Sequence, residues 1–176
     1  MKRKYLFELL IGLFFVSFNI FATCDPNIIL TTPSSNFIIN GDGTVTDKKT
    51  DLTWMRCTLG HTWSGNYCAG TANIYSWQQA MNSAEGTTFA NYSDWRVPNV
   101  KELSSIVEMA CGYPAINESI FPATIQSPPN YYDSSFIQPQ YWTSTPSRSG
   151  DTGISVSFYF GYHGTRGQYI RLVRGG

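Results

Sequence analysis

From Arg148 to the last residue, four arginines, Arg148, Arg166, Arg171 and Arg174, stand against one acidic residue, Asp151. A guanidinium is a planar fork of N–H donors that meets sulfate, phosphate or carboxylate oxygens two at a time. An arginine-rich segment is therefore suited to an acidic polysaccharide. Tyr162 and His163 lie between Arg148 and Arg166, and Tyr131, Tyr132, Phe136, Tyr141, Trp142 and Tyr159 lie close by in the chain. Sugar rings stack on aromatic faces, and the polar tips of Tyr and Trp bond hydroxyls. The candidate ligand-binding set is Arg148, Arg166, Arg171, Tyr132, Tyr162 and His163, with Arg174 beside it. Trp142 and Tyr159 also suit a core. Arg171 and Arg174, in the terminal "QYIRLVR", also suit the surface of a final strand with ordinary salt bridges.

Other chemistries find less support. The histidines are His61 and His163 alone, and the chain has no Gly-x-Ser-x-Gly, no His-Glu-x-x-His and no glycine-rich phosphate loop. Asp94, Arg96 and Glu102 form a charged set that a glycosidase-like carboxylate pair would need, but a helix cap with an arginine salt bridge uses the same residues. The expectation is a non-enzymatic protein with no cofactor. "NGDG" at 40–43 resembles the start of a calcium loop, yet with Gly43 at loop position 6 the ligand positions 1 and 12 fall on Ile38 and Thr50. The β-branched flanks and the Asn-Gly and Asp-Gly pairs predict a hairpin turn instead.

The chain opens with Lys2, Arg3 and Lys4, an apolar run from Leu9 to Phe18, and a small residue at Ala22, the order of a secretory signal peptide. Residues 1–22 are expected to be cleaved, leaving one domain over 23–176; the apolar run is short for a membrane span of about 20 residues. Lipidation at Cys24 is disfavoured because Phe21-Ala22-Thr23 lacks the usual aliphatic and small residues. Without residues 1–22, nine basic residues face eleven acidic ones, a balance that argues against nucleic acid as the main partner. The expected location is the periplasm, the cell surface or the medium.

The four cysteines, Cys24, Cys57, Cys68 and Cys111, are an even number in a chain expected to be exported and read as two disulfides. Three pairings are open. Cys57 and Cys68 bracket a short loop that a disulfide could staple, which leaves Cys24 for Cys111. A zinc site of Cys57, His61 and Cys68 lacks a convincing fourth ligand.

The elements that must position these residues follow from local pattern. "FII", "TVT" and Leu52 to Cys57 read as a β-meander. Ser76 with Gln79 and Asn99 with Glu102 have capping-box spacing, predicting helices over 76–85 and 100–110; Ile74, Trp77, Met81 and Ala84 give the first its apolar spacing, and Val100, Leu103, Val107 and Ala110 the second. Residues 112–140 read as a long loop. Tyr141 to Thr145, the alternating Ile154, Val156, Phe158 and Phe160, a turn at Gly161 to Gly167, and "QYIRLVR" return to strand. The class is α+β with mainly antiparallel sheets and two short helices.

"GDGTVTDKKTDLTWMRC", "CAG" ahead of a Trp-containing helix, "DWRVPNVKEL", Phe121-Pro122, "YWTST" and "YIRLVRGG" together resemble the Legionella collagen-like adhesin C-terminal domain family across 37–176. The resemblance implies an exported bacterial surface or envelope domain, with binding of sulfated glycosaminoglycans as its best-known activity. This chain has no Gly-X-Y collagen tract, so trimerisation and multivalent binding do not carry over. The "DWRVPNVKEL" element is also distantly similar to formylglycine-generating and C-type-lectin-like domains, which implies a C-type-lectin-like fold; the reactive cysteine pair of those enzymes does not align here. The function expected is an acidic-polysaccharide or host/envelope glycan-binding module, the alternative a structural envelope or pilus-associated interaction domain.

Overall fold

The computed structural model describes residues 23–125 and 138–176. Strand β1 (Thr23–Cys24) precedes the meander β2 (Phe37–Ile39), β3 (Thr44–Asp47) and β4 (Thr53–Met55). β2 pairs antiparallel with β3, with Ile38 opposite Thr46, and β3 pairs with β4, with Val45 opposite Trp54. The "NGDG" segment is the β2–β3 turn. Asp42 Oδ1 accepts hydrogen bonds from Thr44 N–H at 2.9 Å and from the Thr44 hydroxyl at 2.6 Å, so this carboxylate closes the turn on itself. Gly43 has φ +89°, and a Cβ there would stand 2.6 Å from the Trp63 ring and 2.8 Å from Phe89. Both the conformation and the space require glycine.

Next come the short hairpin β5 (Thr62–Trp63) and β6 (Cys68–Ala69), then helices α1 (Trp77–Ala84) and α2 (Val100–Ser105). Each helix starts on its expected capping box. Ser76 and Gln79 exchange bonds at α1, and at α2 the Asn99 side chain accepts from Glu102 N–H while Glu102 Oε2 accepts from Asn99 N–H at 2.7 Å. α1 buries Ala80 and Ala84, with Trp77 and Met81 partly covered; Ile74 precedes the helix and is exposed.

α2 ends five residues before the predicted stop. Ile106 has φ −98° and ψ 6°, and Val107 bridges antiparallel to Ile116. Tertiary bonds win over helical periodicity here, because Glu108 N–H donates to Ala115 O and the Glu108 carboxylate turns toward the N-terminal segment. It accepts from Thr31 N–H at 2.9 Å, from Thr32 N–H at 2.8 Å and from Ala110 N–H at 3.0 Å.

β7 (Cys111–Gly112) pairs with β1. β8 (Tyr141–Pro146), β9 (Gly153–Val156) and β10 (His163–Gly164) form an antiparallel sheet ordered β10-β9-β8, and β11 (Val173–Arg174) completes a second, ordered β11-β4-β3-β2. α2 packs on β8 and β9. One core cluster joins Phe37, Trp54, Leu103, Phe121, Tyr141 and Phe158; another joins Met55, Ala80, Trp95, Trp142, Ile170 and Leu172. Trp142 and Tyr159 are both buried. No helix among the described residues is long and apolar enough to cross a membrane.

The C-terminal alternation is shorter than its pattern implied. The strand stops at Val156, and the chain turns through Ser157 to Tyr162, where Gly161 N–H donates to Ser157 O. In "QYIRLVR" only Val173–Arg174 is strand, and Ile170, Arg171, Leu172 and Val173 are all buried. Consecutive burial without alternation marks a segment covered on both sides. Leu59 N–H donates to Ile170 O and Met55 N–H to Leu172 O.

Candidate functional site

The structure separates the six residues of the candidate set. Arg148 is exposed in the turn joining β8 to β9. Arg166 is exposed in the segment after β10, between Gly164, which pairs with Ser155, and Gly167, which packs on the Trp142 ring. Tyr162 and His163 are exposed at the β9–β10 turn, at the opposite end of β9 from Arg148. They do not adjoin the Arg148 position. Tyr132 lies outside the described residues, as do Tyr131 and Phe136.

Arg171 is the correction. Its side chain is 0% exposed, so it cannot meet an external anion. Nη1 donates to the carbonyls of Met55 and Arg56, Nη2 donates to Thr124 Oγ1 at 2.9 Å, and the guanidinium lies 5.0 Å from the Phe121 ring centre and 5.9 Å from that of Tyr141. Carbonyl dipoles and aromatic faces replace a carboxylate partner. Burial lowers its pKa to about 10, which leaves it cationic at neutral pH. Arg56, which the sequence pattern did not single out, is a second buried cation: Nε donates to Ile120 O at 2.9 Å, Nη2 to Ser119 O at 2.8 Å, and its guanidinium sits 4.7 Å from the Trp63 ring centre. The signal available was its place between Met55 and Cys57 in the apolar run just after β4. Both arginines hold the chain around Phe121-Pro122 against the meander.

Arg174 is engaged as well. Nε donates to Asp94 Oδ1 at 2.7 Å, and the guanidinium lies 3.8 Å from the Tyr92 ring centre. The hydrogen bond from Arg174 holds the Asp94 carboxyl below its ordinary range. Arg96 binds Glu102 through two bonds, Nη1 to Oε2 at 2.8 Å and Nη2 to Oε1 at 2.9 Å. Glu102 is partly buried, which raises its pKa, but the bonds from Arg96 and Asn99 N–H outweigh burial and lower it overall. The charged set Asp94, Arg96 and Glu102 is thus the cap and salt-bridge network that the sequence allowed, with both carboxylates committed.

His163 Nε2 lies 2.9 Å from Ser104 Oγ, the separation of a nucleophile and its base. The one hydroxyl proton of Ser104 goes to Val100 O at 2.7 Å, so His163 Nε2 donates to Ser104 Oγ and does not accept from it. This pair positions a turn on α2. Tyr162 donates its hydroxyl proton to Gln138 Oε1 at 2.6 Å.

Cys57 pairs with Cys68 and Cys24 with Cys111, as the loop-stapling argument expected. The pairing removes Cys57 and Cys68 as thiolate ligands, and with them the zinc alternative. Among the described residues, Arg148 and Arg166 take part in no ion pair.

A disulfide-stapled α+β domain of short antiparallel sheets, with Arg56 and Arg171 buried in the fold and Arg148 and Arg166 exposed on it, is the class these observations define. The chain belongs to the Lcl C-terminal domain family, matched over residues 43–174. Comparisons with curated proteins and with solved structures returned no match. The distant C-type-lectin-like resemblance therefore has no structural match beside it. Family membership and the two disulfides fit an exported, adhesin-like surface domain.

Proposed function

We propose that this protein is an exported, non-enzymatic adhesion module that binds acidic polysaccharide through Arg148 and Arg166. The observation that carries the reading is the division of labour among the C-terminal arginines. Arg171 is buried and Arg174 is bound to Asp94, whereas Arg148 and Arg166 are exposed beside the β8–β10 sheet with no ion pair among the described residues. An unpaired surface guanidinium meets a sulfate or carboxylate oxygen without first breaking an internal bond. Two such contacts give weak binding that salt screens.

The test is retention on immobilised heparin at low salt. The mature, disulfide-bonded domain is retained, Arg148→Ala/Arg166→Ala elutes earlier, and Tyr162→Ala elutes with the parent because Tyr162 lies elsewhere. Flow-through of the parent domain at low salt overturns the reading. A structural interaction domain then becomes the better account, supported by the exposed Ile38 and Ile39 on β2, an edge strand of its sheet.

A further inference from the structure

Segment 73–75 and the outer face of α1 border a shallow, open groove of about 530 Å³ lined by Asn73, Ile74, Tyr75, Gln79, Asn82 and Ser83. None of these six carries a charge. Ile74 is 68% exposed, an apolar side chain that contributes nothing to the core.

The walls are held by bonds that leave the side chains facing the groove with capacity to spare. Asn73 N–H donates to Leu59 O at 3.1 Å, Tyr75 N–H donates to Gln168 O at 2.8 Å, and the Trp142 indole N–H donates to Tyr75 O at 2.8 Å. On the helix side, Gln79 Oε1 accepts from Ser76 N–H at 2.8 Å, which fixes the amide and leaves its Nε2 donors over. Asn82 Oδ1 accepts from Gln78 Nε2 at 3.0 Å, leaving Asn82 Nδ2. Asn73 Nδ2 donates to the Tyr75 oxygen at 3.1 Å, leaving Asn73 Oδ1 as acceptor and the Tyr75 hydroxyl as donor. Two amide donors, an amide acceptor and a phenol thus border one aromatic ring and one aliphatic side chain on a pre-organised frame.

We propose that this groove is a separate subsite for a neutral pyranose unit of an uncharged oligosaccharide. A pyranose carries hydroxyls around its rim and C–H groups on its faces, and the groove offers amide and phenol partners for the first and Tyr75 and Ile74 for the second. It offers an anionic sugar no cation and a cationic ligand no carboxylate. The subsite does not depend on Arg148 or on polyanion binding.

The experiment is an amide-resolved NMR titration of the mature, disulfide-bonded domain with methyl α-mannopyranoside, methyl β-galactopyranoside, methyl α-glucopyranoside and N-acetylglucosamine. At least one sugar should shift the side-chain amides of Asn73, Gln79 and Asn82 saturably, with the same affinity at low and high salt. Asn82→Ala, an exposed helix position where alanine is favoured, should weaken that affinity about tenfold, the equivalent of one neutral hydrogen bond. Arg148→Ala/Arg166→Ala should leave it unchanged, which separates this subsite from the polyanion reading. The proposal is overturned if no sugar moves these amides, if the shifts fade with salt, or if Asn82→Ala binds like the parent.

Discussion

Arg171 Nη2 reaches Thr124 Oγ1 at 2.9 Å across 47 positions of sequence, and among the described residues the guanidinium bonds to carbonyls and this hydroxyl but forms no ion pair. A cation placed there serves the fold, since it ties the last segment to Phe121-Pro122 and to the meander. Arg171→Ala removes the donors of Met55 O, Arg56 O and Thr124 and opens a cavity, and should cost about 3 kcal/mol or more. Arg148→Ala and Arg166→Ala, at exposed positions, should each stay within about 0.5 kcal/mol of the parent. Urea unfolding checks both. Equal midpoints for Arg171→Ala and the parent would show that the buried placement is wrong.

Glu108 supplies a pH dependence. Burial raises its pKa, but the bonds from Thr31, Ala110 and Thr32 more than offset this and lower it from the ordinary 4.5. A carboxyl depressed in the folded state stabilises fully above its unfolded value, and that stability is lost as pH falls through the folded value. Thermal midpoints should therefore drop as pH goes below about 4.5. Glu108→Gln, which turns a donor toward the Thr31 or Thr32 N–H, should cost about 1–3 kcal/mol at neutral pH and should flatten the acid limb. An acid limb as steep as the parent's would assign the effect to other carboxyls, Glu102 among them.

The two disulfides should contribute unequally. Cys24–Cys111 closes 87 positions and Cys57–Cys68 closes 11. By chain entropy the first stabilises by about 4.5 kcal/mol and the second by about 3 kcal/mol. Paired serine variants, Cys24→Ser/Cys111→Ser and Cys57→Ser/Cys68→Ser, measured by urea unfolding, should keep that order. The reverse order would place the main effect in the native state near Cys57.

These expectations divide along the range of the interactions behind them. The Asn40–Gly43 turn, the two capping boxes and the stapled Cys57–Cys68 loop are legible because each depends on residues a few positions apart. Glu108 is illegible in a helical pattern, since its partners lie at Thr31 and Thr32, 76 or 77 positions away. Arg171 escaped for the same reason: a buried arginine bonded to carbonyls is specified by backbone brought from residues 55 and 56, and a local pattern cannot show that. Within the candidate set, exposure separated Arg148 and Arg166 from Arg171, and exposure is a property of the assembled sheets.

The Asn40–Gly43 turn should bind no calcium. Asp42 already accepts two bonds from Thr44, and Ile38 and Thr50 occupy the first and last ligand positions. Added calcium should leave the thermal midpoint unchanged. A rise abolished by Asp42→Ala would establish a site at this turn.

Polyanion binding through Arg148 and Arg166 is tested most directly by the slope of log affinity against log salt for a heparin oligosaccharide, measured on the parent and on Arg148→Ala/Arg166→Ala. Each arginine that neutralises an anionic group releases counterions, as on nucleic acids, and is worth about one unit of slope. The parent should show a steep decline and the double variant a slope shallower by about two units with weaker binding at low salt. The same slope and affinity in both proteins would contradict the assignment of these two arginines to the site.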